Sequence, residues 1–167
     1  MKTLSPKSQK WLKALHLCFV AMWVGGGIAL VLMVRFMGAA EFDMELYGVN
    51  RAMRFVDDFI IIPGAFGCLL TGLVYSVWTR WGFIRHGWIA CKWVINIGGI
   101  LFGTFFLGPW LNSLGPMALD QGLQALSDPV YLHNLQMNAT WAPVQVATLV
   151  LAVFLSTLKP WKNWTGR

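Results

Sequence analysis

Four long stretches of this sequence contain no charged side chain, and they constrain the fold more than any other feature. They cover residues 14–34, 59–79, 93–119 and 129–158. Each is longer than the roughly 20 apolar residues that a helix needs to cross the hydrocarbon core of a bilayer. The sequence therefore predicts an all-α integral membrane four-helix bundle, with residues 1–167 forming a single transmembrane domain.

The charged residues alternate in sign from one connection to the next. All acidic residues lie in the first and third connections: Glu41, Asp43, Glu45, Asp57, Asp58, Asp120 and Asp128. The N-terminal segment, the second connection and the C-terminal tail carry only Lys and Arg. Because short loops rich in Lys and Arg stay in the cytoplasm, both termini are predicted to be cytoplasmic, in a bacterial plasma (inner) membrane.

Composition agrees with this topology. Hydrophobic residues make up 57% of the chain, and charged residues make up 12%, half the share of about 25% that is usual in soluble domains. The net charge of +6 is predicted to face anionic lipid headgroups rather than nucleic acid. The four spans are predicted at about residues 11–34, 59–78, 88–110 and 139–158, with tryptophans marking their ends.

The outer connections carry helix signals of their own. In the first, the mixed pattern of MELYGVNRAMRFVDD (residues 44–58) predicts a short helix that lies on the membrane surface. In the second, Asp128 and Pro129 suit the N-cap and first residue of a helix that continues through His133 into span 4. Prolines near the outer ends of three spans predict kinks or frayed turns there: Pro63, Pro109 and Pro143.

A histidine and a lysine lie several residues inside the predicted spans, where such ionisable groups are costly and often functional. His16 lies about five residues into span 1, and Lys92 lies about four residues into span 3. Because both spans enter from the cytoplasm, the two side chains are predicted at similar depth, roughly 6–8 Å below the interface. Asn96 and Gln145 are the main amides within the spans.

Helical periodicity places small residues on the same faces as these two side chains. One face of span 1 carries His16, Val20, Trp23 and Gly27, and one face of span 3 carries Lys92, Asn96, Gly99 and Gly103. Two nitrogen ligands with glycines farther in would suit a heme clamped between helices, with His16 and Lys92 as axial ligands and Trp23 and Asn96 lining the pocket. The same pattern also fits a Lys92 that extends to the headgroups, a His16 that only bonds a neighbouring helix, and glycines that only pack helices.

Three segments carry a resemblance to a known group. WLKALHLCFVAMWVGG (residues 11–26), IIPGAFGCLLTGL (residues 61–73) and GWIACKWVINIGG (residues 87–99) resemble the first three spans of the CopD-like superfamily of small four-span bacterial membrane proteins. That group includes the HemJ-type membrane protoporphyrinogen oxidases. FGTFFLGPW and LKPW look more like an uncharacterised branch of it.

The resemblance implies a b-type heme (heme b), because a His and a Lys that match His16 and Lys92 are implicated in heme binding and function in those oxidases. It implies redox or electron-transport chemistry between a quinone or porphyrin substrate and a redox partner protein. A protoporphyrinogen-oxidase-like oxidoreductase and a purely electron-carrying cytochrome are both compatible with it. The outer connections and His133 match no feature of the oxidases.

Three further side chains are weaker candidates for the same chemistry. His86 could replace Lys92 as an iron ligand, and His133 could bind a second metal on the outer side. Arg85 could pair with heme propionates, although positive-inside topology already explains it.

Two other classes of function stay open. One is a copper- or metal-handling membrane transport protein, and the other is a cofactor-free subunit of a larger membrane complex. The sequence contains no GxSxG, HExxH, P-loop or GxGxxG pattern, so it shows no signature of these soluble catalytic classes. The glycine content of the spans also suits a homodimer.

Overall fold

The computed structural model describes residues 4–79, 82–83 and 86–160, and every regular element within them is a helix. The α-helices are α1 (Pro6–Met37), α2 (Asp43–Val56), α3 (Ile62–Trp78), α4 (Gly87–Phe102), α5 (Gly108–Gln121) and α6 (Pro129–Leu158). Two π-helical turns, Asp57–Ile61 and Gly103–Leu107, and one 3₁₀ helix, Gly122–Ser127, join them.

These elements combine into four continuous helices that are long and apolar enough to cross a membrane. They are Pro6–Met37, Asp43–Trp78, Gly87–Ser127 and Pro129–Leu158, with 32, 36, 41 and 30 residues. The all-α prediction, with four helices of this kind, is confirmed. At a rise of 1.5 Å per residue each measures about 45–60 Å, which exceeds the hydrocarbon core of about 30 Å.

The first connection forms a helix, α2, as the sequence predicts, but this helix is not separate from the second span. α2 runs without a break through a π-helical turn into α3, so it extends the second long helix. Its apolar face, which includes Leu46 and Met53, is buried in a core that contains Leu111 and Leu114 of α5. The apolar face of α2, which in the sequence suggested contact with lipid, therefore contacts another helix.

The start of α6 forms as the sequence predicts. Pro129 is its first residue, and the Asp128 carboxylate accepts hydrogen bonds from the backbone N–H groups of Val130, at 2.8 Å, and Tyr131, at 3.2 Å. These two bonds, with a third from the Gln121 amide, hold the pKa of Asp128 below its usual value. An anchored N-cap of this kind fixes where the fourth long helix begins.

The two π-helical turns each precede a proline. Pro63 and Pro109 have no N–H, and a proline ring clashes with the carbonyl four residues earlier in a regular α-helix. The wider turns relieve this conflict, since the N–H of Ile62 bonds to the carbonyl of Asp57 and that of Gly108 bonds to the carbonyl of Gly103. Two of the three outer prolines therefore widen their helices.

Two buried clusters hold the bundle together. We call them the cap core (Leu30, Met37, Leu46, Met53, Leu111, Leu114, Ala118, Ala125 and Tyr131) and the central core (Trp23, Ala65, Cys68 and Leu149). The cap core lies where α2 and α5 pack together, and we call this end of the bundle the cap end. The other end, which we call the termini end, contains the starts of α1 and α4 and the end of α6.

Candidate functional site

His16 and Lys92 line the same small cavity. It has a volume of about 60 Å³ and lies between α1, α3, α4 and α6, on the termini side of the central core. Asn96 lies one turn from Lys92 and also lines this cavity, and Trp23 closes it toward the cap end. An imidazole, an amine and an amide from two helices therefore line one cavity.

The hydrogen bonds around His16 favour one assignment of its ring proton. His16 Nδ1 lies 2.6 Å from Thr71 Oγ1. The Thr71 hydroxyl donates its one proton to the backbone carbonyl of Gly67, at 2.6 Å, or Cys68, at 3.2 Å. The network thus assigns Nδ1 of His16 as the donor to Thr71 and leaves the lone pair on Nε2. Nε2 is the atom of this ring that can bind a metal or accept a proton.

Lys92 has a second contact besides the cavity. Its Nζ lies 5.8 Å from the centroid of the Trp88 ring, which is buried. Such a cation–π contact contributes about 0.5–2 kcal/mol. Trp88 lies one turn closer to the start of α4, the direction in which helical side chains lean. This contact fits a lysine that extends toward a headgroup layer as well as one that serves the cavity.

Asn96 presents a buried acceptor without a donor. Its Oδ1 is inaccessible and has no hydrogen-bond partner among the described residues. An unmet buried acceptor costs about 1–3 kcal/mol. Because a water-sized molecule does not reach this oxygen, the cavity of about 60 Å³ beside it does not supply the missing donor in this structure.

A second, larger cavity of about 340 Å³ lies between the two cores. Trp23 and Leu149 line both cavities, so these two side chains separate them. Gly27, Gly99 and Gly103 line the larger cavity, not the one beside His16. The predicted glycine face is therefore present, but it lies on the far side of Trp23.

Protein side chains already occupy part of the space that the glycines leave. A Cβ added to Gly99 would lie 3.4 Å from the indole of Trp23, and one added to Gly27 would lie 2.9 Å from Val146. These glycines allow close helix packing in this structure.

The residues around His16 fit a heme in donor chemistry but not in size. A neutral imidazole with a free Nε2 and a primary amine are both nitrogen ligands for iron. However, sites for molecules of this size have volumes of about 300–1,000 Å³, and the cavity beside His16 has about 60 Å³. The ring does not fit there while Trp23 keeps its position against Gly99.

His86 and His133, two of the weaker candidates, line neither cavity. His86 is the N-cap residue of α4, and its ring stacks on Trp88 with centroids 6.2 Å apart. His133 is exposed near the start of α6. Arg85 lies outside the described residues. Within residues 4–79, 82–83 and 86–160 no group of three or more His, Cys, Asp or Glu side chains is arranged to hold a metal ion.

Sequence reasoning did not single out Thr71. Its signal is weak, since a threonine in an apolar helix usually bonds the carbonyl four residues earlier, as Thr71 also does with Gly67. Only the packing of α1 against α3 shows that the same hydroxyl also forms a hydrogen bond with His16 Nδ1.

No known family model matches the sequence, and neither a curated protein nor a solved structure is detectably similar to the chain.

Proposed function

We propose that the chain is a multi-pass protein of a bacterial plasma membrane with both termini in the cytoplasm. Each of the four long helices exposes large apolar side chains, for example Leu32 (58%), Leu70 (60%), Val94 (73%) and Leu151 (50%). Apolar surface of this extent on all four helices favours contact with lipid over contact with water. The Lys and Arg of the termini and the second connection support the orientation.

We further propose that the protein binds heme b and works in redox chemistry, with His16 Nε2 as an iron ligand. The observation that carries this proposal is the hydrogen bond from His16 Nδ1 to Thr71, 2.6 Å long. Metal-binding histidines generally donate their other ring N–H to a fixed acceptor, which sets the tautomer and the ring orientation. His16 has this arrangement at a depth where an ionisable group is costly.

Lys92 would be the second ligand or a positive charge beside the iron. It lines the cavity of His16. As a ligand it would be a neutral amine, whereas as an ammonium beside the iron it would favour the reduced, less positive state. A bound heme would supply a one-electron ferric/ferrous couple. As the family resemblance implies, the electrons would pass between a quinone or porphyrin in the bilayer and a partner protein.

Trp23 determines whether this proposal holds. Its indole stands between the two cavities and against Gly99. A heme on His16 requires this side chain to move, which would join the space beside His16 to the larger cavity.

The test is an absorption spectrum of the protein purified in detergent from heme-replete cells. We expect a Soret band that His16→Ala removes and that His133→Ala, a control at an exposed histidine of the cap end, leaves in place. A colourless wild type, or a Soret band that persists in His16→Ala, contradicts the proposal. Stoichiometric copper without a Soret band would favour the metal-handling alternative.

The size of the cavity favours a second candidate, a cofactor-free subunit of a membrane complex. In that case the hydrogen bond between His16 and Thr71 joins α1 to α3 and has no further role. The purified protein would then contain neither heme nor metal, and His16→Ala would lower the unfolding temperature without changing any spectrum.

A further inference from the structure

The larger cavity has a polar end and an apolar end. On three of the long helices the lining residue nearest the cap end is polar: Asp57 on the second, Asn112 on the third and Asn138 on the fourth. Toward the termini end the walls consist mainly of apolar side chains and glycines, and the cavity stops at Trp23 and Leu149. A ligand that fills this space would therefore combine one polar group with an apolar body.

Asp57 places a carboxylate at the polar end. The residue lies in the first π-helical turn and is partly buried. Among the described residues its carboxylate forms no ion pair, since Arg54, one turn before it, pairs with Asp58 instead at 3.5 Å. A carboxylate that is removed from water is costly unless a cation or hydrogen-bond donors compensate it. This end of the cavity therefore favours a ligand that brings a positive charge.

Asn138 adds a hydrogen-bond acceptor at the same end. The residue is only 4% exposed, and its Nδ2 donates to the backbone carbonyl of Asn134 at 3.2 Å. Its Oδ1 accepts no hydrogen bond from the described residues and, unlike Oε1 of Gln145, is not closed to a water-sized molecule. Because Asn138 is otherwise buried and lines the cavity, a donor reaches this oxygen from the cavity.

The charges around the polar end also favour a cation. All seven acidic residues of the chain lie in the connections at the cap end, where the arginines are only Arg35, Arg51 and Arg54. An excess of negative charge raises the local concentration of cations and lowers that of anions. The apolar wall reaches the surface at Ile62 and Phe66, which are 43% and 50% exposed, so an apolar body can enter there.

We propose that the larger cavity binds an organic primary ammonium ion, whose N–H groups donate to the Asp57 carboxylate and to Asn138 Oδ1 and whose apolar body extends toward Trp23. A primary ammonium has three donors and no acceptor, which suits a wall with two acceptors. An inorganic cation would compensate the carboxylate but leave the apolar walls without a contact. The cavity volume of about 340 Å³ lies within the range of small-molecule sites. The inference goes beyond the proposed heme function and does not depend on it, because neither His16 nor Lys92 lines this cavity.

The test is equilibrium binding of phenylbutylammonium to the full chain in an uncharged detergent at neutral pH, beside phenylbutanol and phenylbutyltrimethylammonium. The three molecules share one apolar body. The alcohol lacks the charge, and the trimethyl cation lacks the N–H donors. We expect the primary ammonium to bind wild type about tenfold more tightly than the alcohol and about threefold more tightly than the trimethyl cation.

Two pairs of variants test the two acceptors. Asp57→Asn should remove the preference for the ammonium over the alcohol, and Asp58→Asn, at an exposed carboxylate that pairs with Arg54, should preserve it. Asn138→Leu should remove the preference over the trimethyl cation, and Gln136→Leu, at an exposed position on the same helix, should preserve it.

A third pair tests the space rather than the polar contacts. Gly103→Leu places a side chain at the cavity wall, and Gly98→Leu places the same side chain where an added Cβ meets nothing within 4 Å. We expect the first to abolish binding of all three molecules and the second to leave binding unchanged.

Equal binding of the primary ammonium and either analogue to wild type would overturn the inference without any variant. It would also be overturned by a preference that persists in Asp57→Asn or Asn138→Leu, by an equal loss in Asp58→Asn, or by unchanged binding in Gly103→Leu. Helical circular dichroism and a single elution peak establish that each variant is folded. The Soret spectrum of the same samples reports on heme separately, so either proposal can fail without the other.

Discussion

At the cap end of the bundle Met37, Leu114 and Tyr131 are fully buried, whereas the half that contains His16 and Lys92 has a cavity beside them. The cap core joins segments of α1, α2, α5 and α6, and Asn50 Nδ2 donates to Tyr131 Oη across it at 3.0 Å. The central core has only four buried members, one of which, Trp23, also lines the two cavities. The cap end is packed like a water-soluble helical bundle, and the rest is not.

The difference agrees with the proposed membrane insertion: the long helices exceed the hydrocarbon core, so the cap end would extend into water and the other half would lie in lipid. In water, burial of apolar side chains stabilises helix packing. In lipid that driving force is absent between helices, and close approach at small residues replaces it. Gly64 and Gly67 of α3 illustrate this, because a Cβ added at either would collide with α1. Fully buried side chains are therefore concentrated at the cap end, and His16 and Lys92 lie in the half that has fewer of them.

The largest expected effect tests the cap core. Leu114→Ala removes a side chain with no exposed surface and should lower the free energy of unfolding by about 2–5 kcal/mol. Leu151→Ala, at a position that is 50% exposed on α6, is the matched control and should cost much less. Thermal unfolding in detergent measures both. Equal losses would show that the two halves do not differ in packing.

A smaller effect on the free energy of unfolding is expected when the hydrogen bond between His16 and Thr71 is removed. Thr71→Val leaves the Nδ1–H of His16 without its acceptor, and an unmet buried donor costs about 1–3 kcal/mol. Thr71→Ser keeps the hydroxyl and should recover most of the stability. In heme-loaded protein, Thr71→Val should also shift the reduction potential, since the orientation of a ligating ring affects the metal.

If Thr71→Val and Thr71→Ser unfold at the same temperature, the hydrogen bond does not stabilise the contact between α1 and α3. An unchanged potential in a protein that does contain heme would mean that Thr71 does not orient the ring.

The sequence was sufficient for the features that depend on the chain's own pattern. The absence of charge predicted the four long helices, and Asp128 with Pro129 predicted the start of the fourth. The packing of α2 against α5 was not predictable, because the same amphipathic sequence suits a helix that contacts lipid and a helix that contacts another helix. The division of the cavities was not predictable either, since it depends on the place that one indole takes among four helices.

The candidate site shows the same limit. Depth along a helix placed His16 and Lys92 at one level, and both line one cavity. Helical phase also placed Gly99 on the face of Lys92, but phase does not reveal that the indole of Trp23 occupies the space beside it. When a side chain of one helix fills a gap beside another helix, the sequence shows no periodic pattern that would reveal it.

The smallest expected effect concerns acid, and it should be confined to the cap end, where all the acidic residues lie. Hydrogen bonds from Val130, Tyr131 and Gln121 hold the pKa of Asp128 below its usual value. A depressed pKa means that the ionised carboxylate stabilises the fold above pH of about 4, and that this contribution is lost as the pH falls through the lower, folded-state pKa.

Amide hydrogen exchange at Val130 and Tyr131 measures this contribution directly, because both N–H groups bond to the Asp128 carboxylate. We expect their protection to weaken below pH of about 4, while amides around His16 keep theirs. Asp128→Asn retains a side-chain acceptor for the cap but cannot ionise, so its protection should not change over the same range. Equal acid sensitivity in the variant would assign the effect to another group, and loss of protection around His16 at the same pH would mean that the two halves unfold together.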